Sequence, residues 1–73
     1  MSKIEIAYPN IEAERARLGL SREEFAKLIG MTRRTYYSYL RGIGAFDSTI
    51  LIRMAQLTKT STDYLLGLSP NTN

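Results

Sequence analysis

Apolar residues along this chain recur in short runs at helical spacing, and each run lies between a residue suited to start a helix and a glycine or polar break suited to end it. Asn10 follows Pro9 and is placed to cap a first helix over about residues 11–18. In it Ile11, Glu14 or Arg15, and Leu18 recur until Gly19 supplies a left-handed stop. Ser21-Arg22-Glu23-Glu24 then has the form of a capping box, in which the Glu24 amide donates to the Ser21 hydroxyl and the Ser21 amide to the Glu24 carboxylate. Leu20 and Phe25 flank that cap as a hydrophobic staple. The second helix turns Phe25, Ala26, Leu28 and Ile29 inward and ends at Gly30, where a tight reversal needs positive φ. Ala26 is small enough for another helix to cross closely over it.

Thr32 caps a third helix that runs to about Leu40 and stops near Arg41-Gly42. Its β-branched and aromatic residues make it an indifferent helix former, so packing must hold it. Ile43 to Phe46 form a short connection containing Gly44, and Asp47 caps a fourth helix. Ile50, Leu51, Met54, Ala55 and Leu57 give that helix a broad apolar stripe, the central strut of a core. After the break Thr58-Lys59-Thr60, Ser61 or Thr60 caps a last short helix with Asp63 in its first turn. Tyr64, Leu65 and Leu66 then close the core before Gly67. The pattern predicts an all-α, compact five-helix bundle over residues 10–68. Residues 1–9 read as an N-terminal arm, and the polar, proline-broken residues 69–73 as a tail or the start of a linker.

Composition narrows the chemistry. A chain of 73 residues is one small domain that buries roughly 60% of its unfolded surface. It has no cysteine and no histidine, which removes disulfides, thiol nucleophiles and the usual zinc ligands together. Glu23 and Glu24 are adjacent on one helix and diverge, and no glycine-rich loop is built to cradle phosphates. No enzyme activity, cofactor or metal is expected. No apolar run approaches the roughly 20 residues needed to cross a bilayer, so no membrane partner is expected and the cytoplasm is the default location.

The net charge of +3 is unevenly placed. Arg15, Arg17, Arg22, Lys27, Arg33, Arg34 and Arg41 face only Glu23 and Glu24 within residues 15–41, a local +5, and the rest of the chain is −2. Such asymmetry suits one face docked on a polyanion. On the third helix Tyr36 and Tyr39 or Leu40 share the inward side with Met31, the tyrosines as core residues with hydroxyls at the rim. Arg33, Arg34, Tyr37, Ser38 and Arg41 point largely outward. Two arginines in a first turn oppose the helix dipole, which disfavours a purely structural role and favours bridging a guanine in the major groove of double-stranded DNA. Ser38 adds a short hydrogen bond or permits close approach, and Tyr37 reaches a thymine methyl or a phosphate. Ser21 and Arg22 begin a helix whose free amides suit a phosphate, and Arg41 and Arg15 are the next candidates for clamping the backbone.

The segments Leu18-Gly19-Leu20-Ser21, Phe25-Ala26, Gly30-Met31-Thr32, Tyr39-Leu40-Arg41-Gly42 and Ser61-Thr62-Asp63-Tyr64-Leu65-Leu66-Gly67 resemble the Cro/C1-type, XRE-like helix-turn-helix family, the DNA-binding domain of many phage and bacterial repressors. The resemblance implies a lambda-repressor-like fold and a sequence-specific transcriptional repressor of phage or prophage type that binds a two-fold operator as a homodimer. It puts base readers at Arg33, Arg34, Thr35 and Ser38, and phosphate contacts at Ser21, Arg22 and Arg41. The dimer contacts it implies fall on Phe46, Thr62, Tyr64 and Leu65. From sequence, Phe46 either plugs the monomer's core or meets a partner. A second function fits the same fold: an antitoxin-like protein that neutralises a protein partner, with DNA binding secondary.

Overall fold

Four of the five helices begin where a local side-chain cap satisfies one of their first amides, and these caps fix where the reading elements lie. The computed structural model describes residues 6–44 and 46–69; the first five residues of the expected arm, Ala45 and the last four of the tail lie outside them. The described residues form five helices and no strand: α1 (Pro9–Arg17), α2 (Arg22–Ile29), α3 (Arg33–Leu40), α4 (Ser48–Thr58) and α5 (Thr62–Leu65). The fold is therefore the all-α five-helix bundle that the pattern predicts.

The capping box of α2 forms as expected, with the Glu24 amide donating to Ser21 Oγ at 3.0 Å and the Ser21 amide to Glu24 Oε1 at 2.8 Å. Thr32 accepts from the Thr35 amide at 3.2 Å, Asp47 from the Ile50 amide at 2.9 Å, and Ser61, rather than Thr60, from the Tyr64 amide at 3.1 Å. The start of α1 differs from expectation. Pro9, with its fixed φ, occupies the first turn and Tyr8 is the cap residue, without a side-chain bond. Asn10 is thus inside the helix, and its amide donates to the Tyr64 carbonyl at 2.7 Å, tying α1 to α5. Residues 6–8 also dock: the Ala7 amide donates to the Leu40 carbonyl at 2.6 Å, satisfying the end of α3.

Ile11, Phe25, Ala26, Ile29, Tyr36, Leu40, Phe46, Ile50, Met54 and Leu65 make the core. Leu28 does not join it and is 57% exposed. Phe25, Ala26 and Ile29 centre the buried stripe of α2 on one side, and Leu28 lies about a quarter-turn or more off that centre. Leu51, Ala55 and Leu57 are half-buried along the edges of the α4 stripe, and Thr58 is buried with its hydroxyl donating to the Met54 carbonyl at 2.8 Å. Phe46 resolves in favour of the core: it is 8% exposed, with Tyr39 edge-on at 4.6 Å and Tyr8 at 5.3 Å between ring centroids. Leu65 is fully buried. The expected dimer contacts at Phe46 and Leu65 are corrected accordingly, because filling the monomer's core leaves little of Phe46 and none of Leu65 on the surface for a partner.

Gly30 makes the reversal from α2 to α3 at φ +91°, and a Cβ built there would meet the Arg53 guanidinium, which donates to the Ile29 carbonyl at 3.3 Å. Gly30→Ala should therefore cost about 1–2 kcal/mol, mostly from left-handed strain, with the Arg53 bond lost as that flexible side chain swings away. Urea unfolding of Gly30→Ala in the native and Arg53→Ala backgrounds measures both parts. An unchanged midpoint would contradict the strained turn.

Candidate nucleic-acid interface

The turn Gly30-Met31-Thr32 sets α3 across α2, held by the Met31 amide donating to the Ala26 carbonyl at 2.9 Å and by the Tyr36 ring edge-on to Phe25 at 5.5 Å. Burying Tyr36 and Leu40 fixes the rotation of α3 about its axis. Its other side then presents Arg33, Arg34 and Arg41 exposed and Thr35, Tyr37 and Ser38 half-buried. Among the described residues the side chains of Arg34 and Arg41 have no hydrogen bond, ion pair or ring contact. The hydroxyls are engaged locally, Thr32 with Thr35 at 3.0 Å and Ser38 donating to the Arg34 carbonyl at 3.3 Å. A helix with its side chains is about 10–12 Å across, which fits a major groove about 12 Å wide.

Beside this face lies an open cleft of about 330 Å³ lined by Arg15, Ser21, Arg22, Glu23, Arg33 and Tyr37. Tyr37 is its floor. The guanidinium carbons of Arg22 and Arg33 sit 5.0 and 5.3 Å from its ring centroid, and its hydroxyl accepts from Arg22 Nη1 at 2.9 Å. The hydrogen bond from Arg22, then Arg33, holds the Tyr37 hydroxyl below the usual tyrosine range. A larger hollow, about 560 Å³ between α1 and the α4–α5 junction, is walled by Leu18 and Leu57 as well as polar groups, and its one carboxylate is already paired: Glu14 accepts from Arg17 at 2.7 Å and from Tyr64 at 3.3 Å.

The organiser of the cleft is Glu12, which sequence reasoning missed. Its carboxylate accepts from Arg15 at 3.1 and 3.2 Å, from Arg22 Nε at 3.0 Å and from the Tyr36 hydroxyl at 2.9 Å, joining α1, α2 and α3. Burial opposes its charge, but the bonds from Arg15, Arg22 and Tyr36 outweigh that and hold the carboxyl below the usual range. Burial first, then the Glu12 charge, pushes the Tyr36 hydroxyl far above its ordinary value, so it stays a donor. Tyr36 is thus bonded inside the domain rather than left at the rim. Arg15 also departs from expectation. Its side chain is 19% exposed, and its donors go to Glu12 and, at 2.6 Å, to the Leu20 carbonyl, so it braces Arg22's counter-ion instead of standing free to clamp a backbone. Only the i,i+3 spacing of Glu12 and Arg15 was visible along the chain; Arg22 and Tyr36 are 10 and 24 residues away.

Two helices joined by a three-residue glycine turn, the second held by its inner face and offering arginines on its outer one, define a helix-turn-helix unit. The helix-turn-helix family model matches residues 11–65, and the chain belongs to that family as an XRE-like DNA-binding domain. Domains of this family are DNA-binding regulators and not enzymes. No curated protein and no solved structure matches the chain at a significant level. Among the described residues no group of acidic, cysteine or histidine side chains is placed to hold a metal, and no helix is long and apolar enough to cross a membrane.

Proposed function

We propose that the protein is a sequence-specific transcriptional repressor of phage or prophage type that binds a two-fold operator as a homodimer in the cytoplasm. The observation that carries this reading is the outer face of α3, where Arg34 and Arg41 have no partner among the described residues while Tyr36 and Leu40 lock the helix from behind. Arg33, Arg34, Thr35, Tyr37 and Ser38 meet the major groove, with at least one arginine bridging a guanine. Ser21, Arg22 and Arg41 contact phosphates on either side and fix the register. With Phe46 and Leu65 inside the core, Thr62 and Tyr64 remain for contact between protomers.

Dimensions of 35 × 24 × 24 Å let two copies lie side by side with their recognition helices about 34 Å apart, one turn of DNA. A footprint of the full chain on DNA flanking its gene should show two protected half-sites with that spacing. Sedimentation on duplexes carrying one or two half-sites should show the second site raising affinity. Binding of one protein to one half-site with no gain from the second would overturn the two-fold arrangement, and no protection on any duplex would overturn the operator reading.

A further inference from the structure

Arg33 and Arg34 are neighbours in sequence but not in surroundings. At 3.6 residues per turn they point about 100° apart around α3. Arg33 lies two turns before the buried Leu40 and one before Tyr37, whereas Arg34 lies two turns before the exposed Arg41 and one before Ser38. The first position is on the flank of α3 that faces α2; the second is on the side turned away from the core.

The contacts follow that division. The Arg33 guanidinium lies over the Tyr37 ring, 5.3 Å from its centroid, and Tyr37 is itself fixed by the hydrogen bond from Arg22, which Glu12 holds from α1. Held against Tyr37, Arg33 keeps donors to spare among its five N–H groups, so it can still bond an anion beside it but is drawn back from the centre of the groove. In the cleft, Arg15 and Arg22 share the Glu12 carboxylate, and Arg33 has no carboxylate within ion-pair distance; Glu23 lines the same cleft without pairing with it. Three guanidinium groups against the Glu12 and Glu23 carboxylates leave one net positive charge around the cleft, and Arg33 is the guanidinium that no carboxylate pairs. Arg34 has no ring contact and no pair to restrain it.

Resting on the reading of α3 as the helix that meets the major groove, we propose that the two arginines divide the work. Arg34 is the arginine that reads a base, and Arg33, positioned by Tyr37, holds the phosphate backbone beside Arg22. Arg33 thus contributes affinity for any duplex and Arg34 contributes choice among duplexes.

The test uses the full chain and a duplex selected by the native protein from a random library. Affinities of Arg33→Ala, Arg33→Lys and Arg34→Ala are measured by fluorescence anisotropy on that duplex, on each single-base-pair variant and on unrelated DNA, across a salt series. Both positions are exposed, and circular dichroism checks that the three variants fold. Arg34→Ala should flatten the preference at one position of each half-site, a loss of about 5- to 150-fold on the preferred base only. Arg33→Ala should weaken all duplexes by a similar factor and reduce the slope of log affinity against log salt by about one. Arg33→Lys should restore that slope, since a phosphate accepts a point charge where a guanine fork does not. Flattening by Arg33→Ala, with preference intact in Arg34→Ala, would overturn the division and leave the groove-facing helix standing. Preference intact in both variants would overturn the division together with that reading.

Discussion

Tyr36→Ala is expected to destabilise the domain by about 3–5 kcal/mol, the usual cost of deleting a buried aromatic ring. The ring is fully buried, meets Phe25 edge-on and joins α3 to both α2 and, through its hydroxyl, α1. At about 0.05–0.15 kcal/mol per residue, a domain of this length has roughly 4–11 kcal/mol in total, so the loss takes about a quarter of it or more. Tyr36→Phe keeps the ring and removes only the bond to Glu12, for a cost of about 1–2 kcal/mol. Urea unfolding of the two variants separates packing from the hydroxyl, and equal losses would contradict the ring's place in the core. Because the side chain points inward, Tyr36→Phe should leave base preference on DNA unchanged.

What the chain reveals about itself divides along the range of the interactions involved. The caps at Ser21, Thr32, Asp47 and Ser61 are legible because donor and acceptor lie three residues apart, and the glycine reversal at Gly30 because one residue's φ decides it. Asn10 misleads for the opposite reason. Its amide bonds a carbonyl 54 residues away, and nothing nearby competes with the reading of it as a cap. Leu28 shows a different difficulty: four apolar residues among five positions of α2 fit more than one stripe, and only the crossing of α3 and α4 selects which is buried. Phe46 sits in a connection where helical periodicity says nothing, so its choice between core and partner is made by Tyr8 and Tyr39.

The same distinction holds within the interface. The outward arginines of α3 follow from its periodicity, and their separation by about 100° is implicit in the helix itself. That Arg33 is held over a ring and Arg34 free is not, since that contact depends on Tyr37 being fixed from α2. A side chain's position on a helical wheel therefore says which way it starts out, and its tertiary partners decide how far toward the groove it can go.

Glu12→Ala should cost about 1–3 kcal/mol, a figure kept modest because its partners Arg15 and Arg22 are 19% and 33% exposed and solvent screens part of each ion pair. The variant leaves the Tyr36 hydroxyl without its acceptor and two guanidinium groups, those of Arg15 and Arg22, close together with no shared counter-charge. Glu12→Gln keeps the shape and one acceptor oxygen, so it isolates the charge and should cost less. The sign of the pH dependence follows from the lowered folded value of this carboxyl relative to its ordinary 4.5. Folding favours the ionised form, so the charge contributes fully above the unfolded value and is lost as the pH falls through the folded one. The difference in urea midpoint between the native protein and Glu12→Gln should therefore be constant near pH 7 and shrink in acid below about 4.5. Other carboxylates titrate alike in both proteins and cancel in the difference. A gap that stays constant into strong acid would show that the Glu12 charge does not hold the three helices together, and that Arg22 is positioned by Tyr37 alone.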